Sequence, residues 1–241
     1  MVLGTTFLTM KDKRVTAIIA AGGLGKRLGL KTAKPFIKIA GKPLLIYSLD
    51  IFEKSNFIDA IVLVVAKNFL KKTKRLIRKK AYKKLKTVVA GGSSRARSVY
   101  NGLCVTDSNS AIVLVHDAAR PFLKQSLVKR CVTLTRRGVN CIAAVPTKAT
   151  VKEIDFKNRY IHATPERKTL WEAQTPQVFD KRILLKAYSK LGKMAWKFKD
   201  DASLVETYGA KVKVLEGDYS NIKITTKEDL KIAEALYNYR G

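Results

Sequence analysis

The stretch that most constrains this chain is residues 15–36, VTAIIAAGGLGKRLGLKTAKPF. It opens on the run Val15-Thr16-Ala17-Ile18-Ile19-Ala20. A segment so short, rich in β-branched residues and stopped by glycines predicts a strand buried on both faces, the kind found inside parallel sheets. Gly22, Gly23 and Gly25 follow at once, then Lys26, Arg27, Lys31 and Lys34. Glycines let backbone N–H groups come close to phosphate oxygens, and the cations offset their charge. The stretch therefore suits a triphosphate, although a glycine turn with solvated lysines has the same composition.

Spacing excludes two familiar phosphate loops. The P-loop needs G-x-x-x-x-G-K-[ST], but Ala20 stands where its first glycine belongs and Arg27 follows Gly25-Lys26. The dinucleotide fingerprint G-x-G-x-x-G fails by one place, because Gly23-Leu24-Gly25-Lys26-Arg27 runs into Leu28.

Further apolar runs predict strands at 60–66, 87–90, 111–116, 140–145 and 211–215. Helical spacing is read at 43–52, 68–82, 95–105, 125–137, 180–191, 201–208 and 226–239, the last opening with the capping-box pair Thr226 and Asp229. Residues 147–164 predict a β-hairpin turning at Asp155-Phe156-Lys157-Asn158. Alternating strands and helices predict an α/β fold, a mostly parallel sheet covered on both faces. Ligands in such sheets sit beyond the carboxyl ends of the strands. The glycine loop, Gly91-Gly92, Asp117 and Pro146-Thr147 each follow a predicted strand, so they are expected to line one crevice. The 241 residues read as one domain with a β-arm at about 147–165.

The chemistry is narrowed by what is scarce. There are two histidines, His116 and His162, and no serine or cysteine triad is evident, which favours a reaction without a general base. A phosphate monoester, with a second pKa of about 6, attacks without deprotonation. Its obstacle is repulsion by another polyanion, which cations and a divalent metal relieve. His116 is expected to be a hydrogen-bonded strand-end residue, His162 structural and Trp171 a core anchor. The cysteines 104, 131 and 141 are odd in number without a C-x-x-C, and predict reduced core thiols. No apolar run approaches the roughly 18 residues of a membrane span, and the first ten residues read as a frayed extension, so a cytoplasmic protein without a membrane partner is expected. The net charge of +29 invites a nucleic-acid reading. Its densest run, residues 71–86, has the spacing of a solvated helix face with few aromatics, so no specific nucleic acid is expected.

Six segments together carry a resemblance: residues 20–27 with Lys34 and Gly41-Lys42-Pro43, VAGGSSRARSVYNGL at 89–103, VHDAARP at 115–121, LWEAQTPQ at 170–177, DDAS at 200–203, and NIKIT at 221–225. In this order they resemble the 2-C-methyl-D-erythritol 4-phosphate cytidylyltransferase family of the non-mevalonate isoprenoid route. The resemblance implies a Rossmann-like three-layer nucleotidyltransferase fold, CTP and a polyol phosphate as substrates, Mg²⁺ as cofactor, and a homodimer formed through the β-arm. It also implies roles. Arg27 and Lys34 would hold the triphosphate and stabilise the transition state, and Lys223 would sit near the α-phosphate and the acceptor. Arg167, Thr150, Thr175 and Arg120 would hold the acceptor, and Asp117 would bind the metal and an acceptor hydroxyl. Ala20, Ala21, Gly22, Gly23, Gly25, Gly91, Gly92, Ser98 and Ala118 would bind CTP. The chain departs from the family pattern at Ala33, Pro35, Ser94, Ala149 and Lys199, and by one extra residue between Gly22 and Arg27. Rival readings are a cytidylyltransferase for another polyol phosphate, such as ribitol 5-phosphate, and a nucleic-acid-binding protein on a degenerate transferase fold.

Overall fold

A computed structural model describes residues 13–239 except 24, 26–28, 30–31 and 79. Arg27 and the expected N-terminal extension lie outside the described residues. In chain order the strands are β1 (Arg14–Ala21), β2 (Lys38–Ile39), β3 (Lys42–Pro43), β4 (Ala60–Val65), β5 (Leu85–Ala90), β6 (Ser110–Asp117), β7 (Cys141–Pro146), β8 (Glu153–Ile154), β9 (Ile161–Ala163), β10 (Trp171–Asp180) and β11 (Lys213–Glu216). The helices are α1 (Leu44–Glu53), α2 (Leu70–Arg78), α3 (Arg95–Cys104), α4 (Gln125–Arg136), α5 (Lys181–Leu191), α6 (Asp201–Tyr208) and α7 (Lys227–Asn238).

Seven strands form one sheet in the order β11-β7-β10-β6-β1-β4-β5, parallel except for β10. The unbroken apolar runs are explained by two cores fed from alternate residues of the same strands. Val15, Ala17 and Ile19 enter one core, with Leu45 and Phe52 of α1, Ile77 of α2 and Leu127 and Cys131 of α4. Ile18, Val62 and Val64 enter the other, with Val99 of α3, Leu184 of α5 and Leu204 of α6. Each fully buried side chain of this size contributes roughly 1.5–3 kcal/mol. Helices therefore cover both faces, as the alternating pattern required. After β5 the chain crosses back to lay β6 on the other side of β1, which makes the β1/β6 junction a topological switch point.

Strand β10 was not expected. Its sequence WEAQTPQVFD is polar and contains a proline, which argues against an interior strand. It lies between β6 and β7 because its polar side chains are satisfied internally: Thr175 bonds His116, Gln174 bonds Asn221, and Gln177 bonds Asp200 and the N–H of Asp201. The proline falls where the register shifts between Ala173 and Gln177, after a cis Thr175–Pro176 bond, so its missing donor leaves no gap in the ladder. Helix α2 is shorter than the predicted 68–82. Tyr82 leaves the helix to donate to Asp50, and the N–H groups of Lys83 and Lys84 go to Glu53.

Strands β8 and β9 pair only with each other, as the expected hairpin. Two smaller expectations fail: Trp171 is exposed, not a core anchor, and Cys104 is exposed, whereas Cys131 and Cys141 are buried and free; His162 lies exposed on the hairpin. Thr226 and Asp229 form the predicted capping box at the start of α7. No helix among the described residues is long and apolar enough to cross a membrane.

Candidate active site

The carboxyl ends of β1, β4 and β6 open on a cavity of about 640 Å³. Ala20, Ala21, Gly22 and Gly23 form one wall, and Gly92, Ser94, Arg95 and Ser98 form another. Asp117, Ala118, Lys34 and Lys223 complete the lining. The sheet register makes this possible: Ala20 of β1 faces Asp117 of β6, and the N–H of Ala118 donates to Ala20 O at 3.1 Å.

The second wall is a helix start. Ser94 caps α3, its Oγ accepting from Arg97 N at 3.1 Å. Ser98 Oγ donates to Ser94 O at 2.8 Å and accepts from Gly92 N at 3.0 Å, folding the glycine turn over the first turn of the helix. The turn needs glycine: a Cβ on Gly91 would stand 2.8 Å from Ser98 Oγ, and one on Gly92 2.7 Å from Arg97 Cβ. The free N–H groups at such a helix start favour anions. Lys34 enters the cavity from a 3-10 turn, Lys34–Phe36, and its Cδ lies 3.8 Å from where a Gly23 Cβ would stand.

Charge at the floor is arranged in a line. Lys223 Nζ pairs with Asp117 Oδ2 at 2.5 Å, and Arg95 Nε donates to Asp117 Oδ1 at 3.0 Å. Arg95 Nη1 continues to Asp201 Oδ2 at 2.8 Å, and Tyr188 O–H reaches Asp201 Oδ1 at 3.3 Å. Burial opposes the charge on Asp117, but Arg95 and Lys223 overcome it and hold its carboxyl well below the usual range. Asp201 shifts the other way: burial, with Asp117 and Asp200 nearby, pushes its carboxyl up against the pull of Arg95.

Behind the floor, Asp117 is held through its backbone. Its N–H donates to Thr175 Oγ1 at 3.2 Å, and Thr175 Oγ1 lies 2.9 Å from His116 Nδ1. His116 Nε2 lies 3.1 Å from Arg120 O, a pure acceptor, so the proton sits on Nε2 and Nδ1 accepts from the threonine. Burial lowers the His116 pKa to about 4, consistent with a neutral ring.

Two of the expected acceptor residues are engaged within the chain. Thr175 is buried, with its hydroxyl bonded to Asp117 N and His116. Arg120 is also buried: it donates to Asn221 O at 2.6 Å and Ala173 O at 3.2 Å, fastening the segment that carries Lys223 to β10. Gly25 and Gly91 are not among the cavity-lining residues, although Ala20, Ala21, Gly22, Gly23, Gly92, Ser98 and Ala118 are. Thr150 and Arg167 are exposed at the root of the arm, where Arg167 reaches Lys148 O at 3.4 Å, and neither lines the cavity. Arg95, Asp201 and Tyr188 were not singled out from sequence. Arg95 stands inside the segment 89–103 and Asp201 inside DDAS, but nothing local announces that residues 106 apart meet across Asp117.

A switch-point crevice with a glycine turn, a helix start and converging cations, in a three-layer α/β sandwich, suits a protein that binds a nucleotide by its phosphates. The family model described as 2-C-methyl-D-erythritol 4-phosphate cytidylyltransferase matches residues 15–238. A protein of that description from Alkaliphilus metalliredigens is 42% identical over 228 residues, covering 94% of each chain. Another, from Lachnospira eligens, is 41% identical over 221 residues, covering 90% of this chain and 96% of its own. The crystal structure of 4-diphosphocytidyl-2C-methyl-D-erythritol synthase from Anaerococcus prevotii superposes with a TM-score of 0.83 at 35% identity, covering 95% of this chain and 98% of that one. The chain belongs to the 2-C-methyl-D-erythritol 4-phosphate cytidylyltransferase family, and is an enzyme of the nucleotidyltransferase class.

Proposed function

We propose that this crevice transfers the cytidylyl group of CTP to 2-C-methyl-D-erythritol 4-phosphate, giving 4-diphosphocytidyl-2-C-methyl-D-erythritol and pyrophosphate, a step of isoprenoid biosynthesis. The observation that carries the reading is convergence: four of the six family segments meet around one cavity, with Lys34, Arg95 and Lys223 on its lining. A nucleic-acid-binding role on a degenerate fold is not favoured, and neither is a ribitol 5-phosphate acceptor.

The mechanism follows from charge. An oxygen of the acceptor phosphate forms a bond to the α-phosphorus of CTP, the bond to the bridging oxygen breaks, and pyrophosphate leaves with that electron pair. The attacking phosphate is already ionised near neutral pH, so the site needs no base. Its neutral, buried His116 agrees with that. Glycine-turn N–H groups and α3 receive the nucleotide. Lys34, with Arg27, neutralises the triphosphate. Lys223, held by Asp117 at the floor, draws the two anions together. Fixed cations in a partly dry cleft act most strongly where charge develops in the transition state.

Among the described residues, Asp117 is the sole carboxylate on the cavity lining, and no group of three or more metal-ligating side chains occurs. That donor set does not make a protein cage, but it fits Mg²⁺, which keeps waters and takes one or two carboxylates with substrate phosphates. Asp117 would hold it through lone pairs left beside Arg95 and Lys223. When bound, the ion supplies Lewis-acid stabilisation of phosphate charge.

In this reading the chain works as one nucleotidyltransferase unit in the cytoplasm, and the 147–165 arm joins two copies into a homodimer, bringing Thr150 and Arg167 to the partner's acceptor site. Isolated two-stranded hairpins are marginal in water, and this arm leaves Ile154, Phe156, Tyr160 and Ile161 exposed. The test is pyrophosphate release from CTP, UTP and ATP with each of 2-C-methyl-D-erythritol 4-phosphate and ribitol 5-phosphate. Release is expected with CTP and the methylerythritol phosphate. Equal turnover of ribitol 5-phosphate would overturn the acceptor assignment.

A further inference from the structure

Asp201 does not line the cavity, is 1% exposed, and sits at the first turn of α6, where a buried carboxylate needs a reason. An N-terminal helix site satisfies charge only partly, and Asp200 already serves as the N-cap by accepting from Ser203 N. Both Asp201 oxygens point instead to one task. Oδ2 receives Arg95 Nη1 at 2.8 Å, and Oδ1 lies 3.3 Å from the Tyr188 hydroxyl, whose single proton is shared with Ala96 O at 3.0 Å. The backbone of the residue is fixed too, since Gln177 Oε1 accepts from the N–H groups of Asp201 and Ala202 at 2.9 and 3.1 Å. Asp201 is thus anchored to α5, β10 and α6 at once, while Arg95, on α3, is the only one of these groups that reaches the cavity.

We propose that Asp201 is a positioning residue for the transfer reaction: it locks the Arg95 guanidinium so that Nε holds Asp117 with its second oxygen turned to Lys223. The physical argument is one of choice. With Asp201 in place, Arg95 divides its planar fork between two carboxylates and binds Asp117 through one oxygen only. Without that anchor, the fork is free to take both Asp117 oxygens in a bidentate pair, the geometry Arg prefers with a lone carboxylate. Lys223 would then lose its partner and its fixed place. Lys223 and Asp117 stand among the groups placed at the reacting phosphates, so the loss falls on the chemical step. The glycine turn and Ser98, which hold the nucleotide, are bonded independently of Asp201.

The inference rests on the crevice being the site of cytidylyl transfer, and wild-type pyrophosphate release tests that alone, in the same assay. Asp201→Asn keeps size and removes charge. It is expected to lower kcat at least ~10-fold while KM for CTP changes less than ~3-fold, the pattern of an interaction needed in the transition state. Arg95→Lys cannot span both carboxylates and is expected to give a similar loss. The Arg95→Lys/Asp201→Asn double variant is expected to be no slower than the slower single variant, because both act through one chain of contacts. Tyr188→Phe, which leaves every charge in place, is expected to cost ~2- to 5-fold in kcat and serves if the Asp201 variant does not fold. A kcat within 2-fold of wild type for folded Asp201→Asn, or multiplied losses in the double variant, would overturn the proposal. So would an unchanged kcat for Tyr188→Phe.

Discussion

At the floor of the crevice Asp117 and Asp201 are 6% and 1% exposed, and each of their four carboxylate oxygens has a partner. In the arm, Phe156 is 92% exposed, Tyr160 75% and Ile161 63%, and the ladder is a few residues long. The first region is polar and its ion pairs close within one chain, whereas the second is apolar and pairs only with itself. Buried charge is tolerated only where geometry is fixed, so the crevice has to be finished before a substrate arrives. Exposed aromatics at a hairpin tip carry no such demand. The crevice floor and the arm thus have opposite physical chemistry.

The comparison breaks most severely at Arg120. Arg120→Ala leaves the buried carbonyls of Asn221 and Ala173 without their donor, at ~1–3 kcal/mol each. A loss of ~4 kcal/mol in urea unfolding is expected. A cost under ~1 kcal/mol would mean the strap behind Lys223 contributes little.

Acid should come next. His116 has a folded pKa of about 4 and an unfolded one of about 6.5. Between those values the unfolded chain binds a proton that the folded one refuses, so stability is full above pH 6.5 and declines as pH falls toward 4. The total is ~3 kcal/mol. Unfolding curves of wild type and His116→Gln across this window should diverge, the variant showing the flatter dependence. Parallel curves would place the acid sensitivity elsewhere.

Lys34→Ala sharpens the difference between reactivity and stability. The half-buried lysine faces the cavity, so kcat should fall at least ~10²-fold, as for loss of a transition-state donor, with the melting temperature nearly unchanged. Near-normal kcat would remove it from the mechanism.

The smallest effect on stability is expected in the arm. Phe156→Ser with Tyr160→Ser should alter monomer stability by no more than ~0.5 kcal/mol, as exposed positions do, while sedimentation shows the dimer lost. A dimer that survives both substitutions would deny the arm its role in assembly.

Much of this was legible in the chain, for local reasons. The core strands β1, β4, β6 and β7 announce themselves because a strand buried on both faces must be apolar at every residue. The cap at Thr226, the hairpin turn and the glycine wall follow from contacts within a few residues. Strand β10 stayed hidden because its buried positions are Gln174, Thr175 and Gln177, which look solvated until their partners are known. The internal bonds of Arg120 and Thr175 were equally hidden, because a motif tells which residues matter, not which groups in the fold they meet.

By itself, then, the sequence determined the layered α/β class, the strands that meet at the crevice, and the cations and glycines that mark it for a nucleotide. Those features are written in periodicity and spacing, which act over a handful of residues. Tertiary structure alone decided that Arg95 bridges Asp117 and Asp201, that Thr175 and His116 brace the floor, and that Arg120 faces inward. Each is a bond between groups dozens of residues apart. The low dielectric that makes such bonds strong exists only once the sheet and helices have closed around them.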